Sequence, residues 1–217
     1  MSANPVIAVV DYGAGNMVSI EQALTAVGAD VRVANEPADL LAIDALVVPG
    51  VGAAAPAMTR LQRQGLTGPI SSWLAADRPF LGICLGLQLL FEGSDEDGAT
   101  TLGALPGRTS RLTGAPTLPH IGWNQVERTR AHAVFDGIDE GADFYFVHSY
   151  AGEPPASGPA GAPGLEDDLV LALTTHGQPF VSAVSRGALV GVQFHPERSG
   201  SDGLRLLANF VGLVRAA

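Results

Sequence analysis

The sequence predicts an α/β fold: a doubly wound, mixed but mostly parallel sheet flanked by helices, with an antiparallel strand region appended. Three observations predict it. Up to Phe91, short apolar runs of strand length alternate with stretches whose apolar residues recur at helical spacing. Beyond Leu102 the pattern changes to short segments separated by Gly and Pro, as antiparallel strands are. The chain has 217 residues, which the length prior assigns to a single domain over 1–217, large enough for a real core.

Val6 to Val10 reads as the first strand, followed by the Gly-rich turn Asp11–Asn16 and a helix with Ile20, Ala23, Leu24 and Val27 on one face. This opening has the outline of a dinucleotide fold, but without the full glycine spacing the turn is better read as structural, and no cofactor is expected. Val31–Ala34 is a second strand, Pro37–Leu41 a helical turn, and Ala45–Val48 a third strand ending at Pro49. Gly50-Val51-Gly52 precedes an alanine-rich helix with Met58 and Leu61, and Pro69–Ala76 is the next helix. Phe80–Ile83 is a buried strand, and Leu85–Phe91 continues at helical spacing. The appended strands are expected at Leu118–Val126, Phe144–Tyr150, Leu169–Thr174, Phe180–Ser185 and Ala188–Phe194. Gly152–Gly164 is rich in Pro, Gly and Ala and reads as a surface loop. Leu204, Leu207, Ala208 and Val211 give the closing helix its apolar face.

Composition excludes several functions. The net charge of −10, with no basic block, argues against nucleic acid. All twelve basic residues are arginine, so no Schiff base can form on a lysine. One cysteine excludes an internal disulfide and a multi-cysteine metal site. His195-Pro196-Glu197 could begin a zinc-deaminase motif, but no Pro-Cys-x-x-Cys follows, so no metal is expected. With neither a signal-peptide pattern nor an apolar run of membrane-spanning length, a cytoplasmic enzyme is expected.

The chemistry centres on Gly82-Ile83-Cys84-Leu85-Gly86, between a strand and a helix. A side chain at such a sharp turn is strained and exposed, and small neighbours let the backbone fold that tightly; this is the nucleophile-elbow logic, here with sulfur. The helix N-terminus also favours a thiolate. A lone cysteine in an apolar run is most often just a small buried hydrophobe. The C-terminal stretch Gly191–Glu197 shifts the balance. On a strand of period two, His195 and Glu197 would point to one side, supplying a base and its orienting carboxylate. Gly50–Gly52 at a sheet edge could aim N–H groups at an oxyanion, although alone it reads as a tight turn.

These stretches resemble the class I glutamine amidotransferases, which use a Cys-His-Glu triad. More narrowly, the chain is similar to the glutaminase subunits of imidazole glycerol phosphate synthase, on Asp11–Asn16, Pro49–Gly52, Pro119–Asn124 and Phe146–Tyr150. The resemblance implies Cys84 as nucleophile, His195 as base and Glu197 as its orienter. It implies an oxyanion hole at Val51, Gly52 and Leu85, with a loop peptide that reorients before its N–H points inward. L-Glutamine would be held by Gly50, Gln88, Ser149 and Tyr150, with Glu96 on its α-amino group and Asp95 as competitor. A cyclase subunit would be the partner in a heterodimer, facing Asn16, His120, Trp123, Asn124, Tyr145 and Arg198. Arg198 stands where the family commonly carries lysine; the charge survives there, but the two side chains differ in geometry. His132 and His176 sit in polar loops and read as surface residues. The motifs leave open a glutaminase for pyridoxal phosphate or anthranilate synthase, and a catalytically silent interaction subunit.

Overall fold

Strands form where apolar, often β-branched residues run uninterrupted, and each buries alternate residues on opposite faces. In the computed structural model, which describes residues 4–15, 17–154 and 167–217, Val6–Val10 is β1, Asp30–Ala34 β2, Ala45–Gly50 β3 and Phe80–Cys84 β4. Leu189–Val192, numbered β13 by its place in the chain, completes a parallel block in the order β2-β1-β3-β4-β13. Ile7, Val9, Ala45, Val47, Leu81 and Ile83 face one core; Ala8, Val10, Leu46, Val48 and Phe80 face the other. Such strands are buried on both sides, so their sequences read as unbroken apolar runs.

The first core is covered by α1 (Met17–Ala26) and α5 (Gly200–Ala216), the second by α2 (Ala54–Arg63), α3 (Thr67–Ala75) and the short α4 (Leu85–Gln88). Helices on both faces make the fold doubly wound, as expected. The last helix begins earlier than its apolar pattern suggested. Its buried face runs through Gly203, Leu206, Leu207, Phe210, Val211 and Val214, whereas Leu204 is exposed. Leu85–Phe91 is not all helix. Past Gln88 the chain tightens into turns, and the carbonyls of Leu89, Leu90 and Phe91 accept from the N–H groups of Leu102, Leu105 and Gly103. That competing segment takes acceptors a longer helix would need.

The appended region, antiparallel except where β5 pairs parallel with β6, adds β5 (Gly93–Ser94), β6 (Arg108–Arg111), β8 (Glu127–Arg128), β10 (Tyr150–Gly152), β11 (Val170–His176) and β12 (Gln178–Arg186), making a sheet of eleven strands among the described residues. β7 (His120–Gln125) and β9 (Asp143–His148) stand apart as an antiparallel ribbon, with Trp123 opposite Tyr145 and His120 opposite His148. Most of the loop expected at Gly152–Gly164 lies outside the described residues. No helix among the described residues is long and apolar enough to cross a membrane.

Candidate active site

Cys84 ends β4 with φ 53° and ψ −107°, a conformation costly for a residue with a Cβ. The flanking glycines make it possible. A Cβ on Gly86 would overlap the Val48 carbonyl oxygen, and one on Gly82 would lie 2.8 Å from the Gly86 oxygen. The elbow therefore exists, and it holds the sulfur in a pocket rather than exposing it: Cys84 is buried. Its Sγ lies 3.5 Å from Gln193 Nε2 and 3.9 Å from the Val147 carbonyl oxygen.

The strands beside β4 deliver the other groups. Gly50 of β3 is in register with Cys84, so Gly50-Val51-Gly52 leaves the sheet next to the thiol. Gly52 has φ +94°, where glycine is favoured, and the Val51 side chain points out, 46% exposed. Leu85 is the first residue of α4, and a first-turn N–H has no partner within its helix. On the other side Val192 of β13 pairs with Ile83, and the chain continues to His195.

Strand alternation does not align His195 with Glu197. β13 ends at Val192, and His195 precedes a 3₁₀ turn, Pro196–Arg198, that curls Glu197 back onto the ring. The result is the expected contact: His195 Nδ1 donates to Glu197 Oε1 at 2.8 Å, with both side chains 6% exposed. The turn is clamped by three hydrogen bonds: the His195 N–H to the Tyr145 carbonyl (2.9 Å), the Ser199 hydroxyl to the His195 carbonyl (2.6 Å), and the Tyr145 N–H to Ser199 Oγ (3.0 Å). Burial pushes the imidazole down, but the adjacent Cys84 sulfur and Glu197 carboxylate outweigh it and hold His195 up at about 10. The sulfur thus acts on the ring's charge, yet His195 Nε2 makes no well-formed hydrogen bond among the described residues. Catalytic hydrogen bonds are often loose before substrate binds.

A cavity of about 190 Å³ opens over the sulfur, lined by Gly52, Cys84, Gln88, Glu96, Ser149 and Tyr150 together with Pro119, Val147 and His148. Asp95 is engaged elsewhere, receiving Arg108 Nε at 2.7 Å, and does not line it. Glu96 is the carboxylate available to a ligand; partial burial, then Asp97, raises its pKa.

A model of the family "Glutamine amidotransferase class-I" matches residues 8–213. This chain belongs to the class-I glutamine amidotransferase family. Among curated relatives, "Imidazole glycerol phosphate synthase subunit HisH" of Moorella thermoacetica is 45% identical over 212 residues, covering 97% of this chain and 96% of that protein. The HisH subunit of Symbiobacterium thermophilum is 46% identical over 211 residues, covering 96% and 94%. Among solved structures, PurLQS from Thermotoga maritima superposes with a TM-score of 0.71 at 17% identity, covering 96% and 98%, a likeness of fold.

The remaining expected positions of this amidotransferase divide into a surface group and an interior one. Trp123 is 57% exposed and meets Tyr145 edge-on, 6.2 Å between ring centres; the Arg198 guanidinium lies 4.2 Å above the Tyr145 ring. Asn16 lies outside the described residues. His120 is buried, and Asn124 lies between it and the surface. Asn124 Oδ1 accepts from the Gln125 N–H, which turns its Nδ2 toward His120 Nε2 (3.2 Å) and the Thr175 carbonyl (3.0 Å). His120 Nδ1 then donates to His148 Nε2 at 3.2 Å, and His148 Nδ1 to the Tyr150 carbonyl at 3.0 Å. His176, read from sequence as a surface residue, is half-exposed and also stacks on His120 at 4.0 Å. His132 is half-buried and its Nδ1 accepts from the Val134 N–H, capping a 3₁₀ turn rather than standing free. Gln193 was not singled out in the sequence, although a glutamine between Val192 and Phe194 in a buried run was the available signal.

Proposed function

We propose that the chain hydrolyses L-glutamine to L-glutamate and ammonia, and passes the ammonia to a cyclase subunit that makes imidazole glycerol phosphate in histidine biosynthesis. The observation that carries this reading is that Cys84 opens on the pocket and acts on the charge of His195, which is itself paired with Glu197, in a chain 45% identical to a HisH subunit.

In this reading the Cys84 sulfur attacks the side-chain amide carbon. The C=O π electrons move to oxygen, where the Leu85 and Val51 N–H groups receive the charge; one such donor is worth roughly 3 kcal/mol. His195 gives its proton to the leaving nitrogen, so ammonia departs and a thioester remains. The same imidazole takes a proton from water, hydroxide adds to the thioester, and glutamate leaves as the sulfur is restored. Glu197 fixes the ring tautomer and favours the imidazolium. Glu96 binds the α-ammonium; Gly50, Gln88, Ser149 and Tyr150 line the rest of the substrate, and Gly52 lets the oxyanion loop turn.

Free ammonia becomes mostly ammonium in water, a poor nucleophile, so a docked acceptor fits the chemistry. The whole chain acts as one glutaminase domain, in a cytoplasmic heterodimer whose contact face includes Asn16, Trp123, Asn124, Tyr145 and Arg198, with His120 behind it. The test is glutamate release by the purified chain, alone and with the cyclase and its ligand, with Cys84→Ala as control. Release that depends on cyclase and ligand is the expected result. Strong release from the isolated chain would mean an ungated hydrolase, and none in either case would favour another synthase or a silent subunit.

A further inference from the structure

Gln193 has a buried amide engaged at both ends. It is 0% exposed, with Nε2 3.5 Å from Cys84 Sγ and Oε1 3.2 Å from Gln88 Nε2. The same Gln88 nitrogen lies 2.7 Å from the Tyr150 carbonyl oxygen.

These contacts orient both amides. A backbone carbonyl can only accept, so the NH₂ end of Gln88 must face Tyr150. That nitrogen carries a second hydrogen, and the Gln193 atom it meets must accept it. Oε1 of Gln193 therefore faces Gln88, and its NH₂ faces the sulfur. A main-chain carbonyl at one end of the relay thus imposes an N–H donor on the sulfur at the other.

The sulfur's other polar neighbour is the Val147 carbonyl, 3.9 Å away. A neutral thiol could give its hydrogen to that oxygen. A thiolate has none to give and is repelled by the lone pairs. The N–H of Gln193 bonds either form, but more strongly the charged one. An amide also carries no titrating proton, so it does not compete with His195 as base.

We propose that Gln193 is the donor that holds the Cys84 sulfur as an attacking thiolate, and that Gln88 and the Tyr150 carbonyl lock it in the donating orientation. This rests on Cys84 being the nucleophile of the glutaminase reading.

Cys84 is the chain's one cysteine, so iodoacetamide, whose iodide leaves as the thiolate forms a C–S bond, reads this sulfur alone. Alkylation rates are measured from pH 5 to 9 on the full-length chain, alongside glutamate release with the cyclase. Gln193→Met keeps the bulk and removes the donor. It should move the alkylation midpoint up by about one pH unit and lower kcat at least ~10-fold, with KM changed less than ~3-fold. Gln193→Glu should move it further, since an ionised carboxylate opposes the thiolate. Gln88→Met frees the Gln193 amide to turn and should give a smaller shift in the same direction; it decides the matter if neither Gln193 variant folds. Folded Gln193 variants with an unmoved midpoint, or failing those an unmoved Gln88→Met, would overturn the proposal and leave Gln193 a packing residue. If the unmodified chain releases no glutamate while the midpoint still shifts, the glutaminase reading fails and the sulfur donor stands.

Discussion

His195 and the pair His120–His148 are equally hidden, 5%, 4% and 6% exposed, yet burial leaves them in opposite states. His195 is held up at about 10, whereas His120 falls to about 4 and His148 to about 3. Desolvation lowers all three. The difference lies in what each ring meets. His195 has a sulfur and a carboxylate; His120 and His148 have each other, His176, the Asn124 amide and the Tyr150 carbonyl, and no anion among the groups that shift them. The interior accepts a charged imidazole only where an opposite charge meets it, and elsewhere strings neutral rings into a one-way chain of hydrogen bonds. With its pKa raised to about 10, His195 favours the imidazolium at neutral pH, and on the glutaminase reading that proton serves the leaving nitrogen, while His120 and His148 carry orientation and no charge.

Removing the sulfur should have the largest effect. Cys84→Ala is expected to lower cyclase-stimulated glutamate release by about 10³-fold or more. In the same protein, NMR titration should find the His195 midpoint lowered, because the strongest upward influence on it is gone, with His120, which neither the sulfur nor His195 shifts, unmoved. A His195 midpoint unchanged in Cys84→Ala would mean that Glu197 alone sets it.

Glu197→Gln attacks the same contrast from the other side. The amide keeps the size but removes the charge that accepts from Nδ1 at 2.8 Å. Activity should fall by about 10²–10⁴-fold, and His195 should titrate closer to the two neutral rings. A variant with near-normal activity would remove Glu197 from the mechanism.

The contrast was only half legible in the sequence. In the parallel block β1, β3 and β4 were readable because strands buried on both faces leave continuous apolar runs, and the elbow because Gly82 and Gly86 must be small; β13, expected among the antiparallel strands, instead pairs parallel with β4 as well as antiparallel with β12. His195 and Glu197 were paired for a wrong reason: strand alternation suggested one side, whereas a 3₁₀ turn makes the contact. The stacking partner of His176 was hidden because His120 lies 56 positions earlier, joined to it only by tertiary packing. β6 and the ribbon of β7 and β9 depend on pairings that local pattern does not encode. Gln193 was hidden for the same reason, since both its contacts lie more than a hundred residues away, at Gln88 and Cys84.

The neutral chain should appear in stability rather than in rate. His148 titrates lower folded than the ordinary value near 6.5 expected when unfolded, so the unfolded chain binds more protons between those limits. Its contribution is fully present above about pH 6.5 and is lost as pH falls toward about 3. His148→Phe, placing a ring among Phe146 and Phe180, should lower stability at pH 7 by roughly 1 kcal/mol through lost hydrogen bonds. Urea unfolding should then find it losing less stability between pH 7 and 4.5 than the parent. An equal loss would place the acid sensitivity elsewhere.

The smallest effect on the free chain is expected at Arg198, a cation next in sequence to Glu197 and yet absent from the groups that shift His195. Its guanidinium lies over Tyr145, an exposed contact worth about 0.5–1 kcal/mol. Arg198→Glu should therefore leave the His195 titration in place and move Tm by only a few degrees. Its consequence belongs to the complex: on the glutaminase reading, charge reversal beside Tyr145 and Trp123 weakens cyclase affinity by about 10-fold and with it the stimulation of glutamate release, while Arg198→Lys keeps the charge and loses less. Unchanged affinity and stimulation in Arg198→Glu would remove this residue from the contact face. A shifted His195 titration would instead tie the surface cation to the buried base and erase the distinction between them.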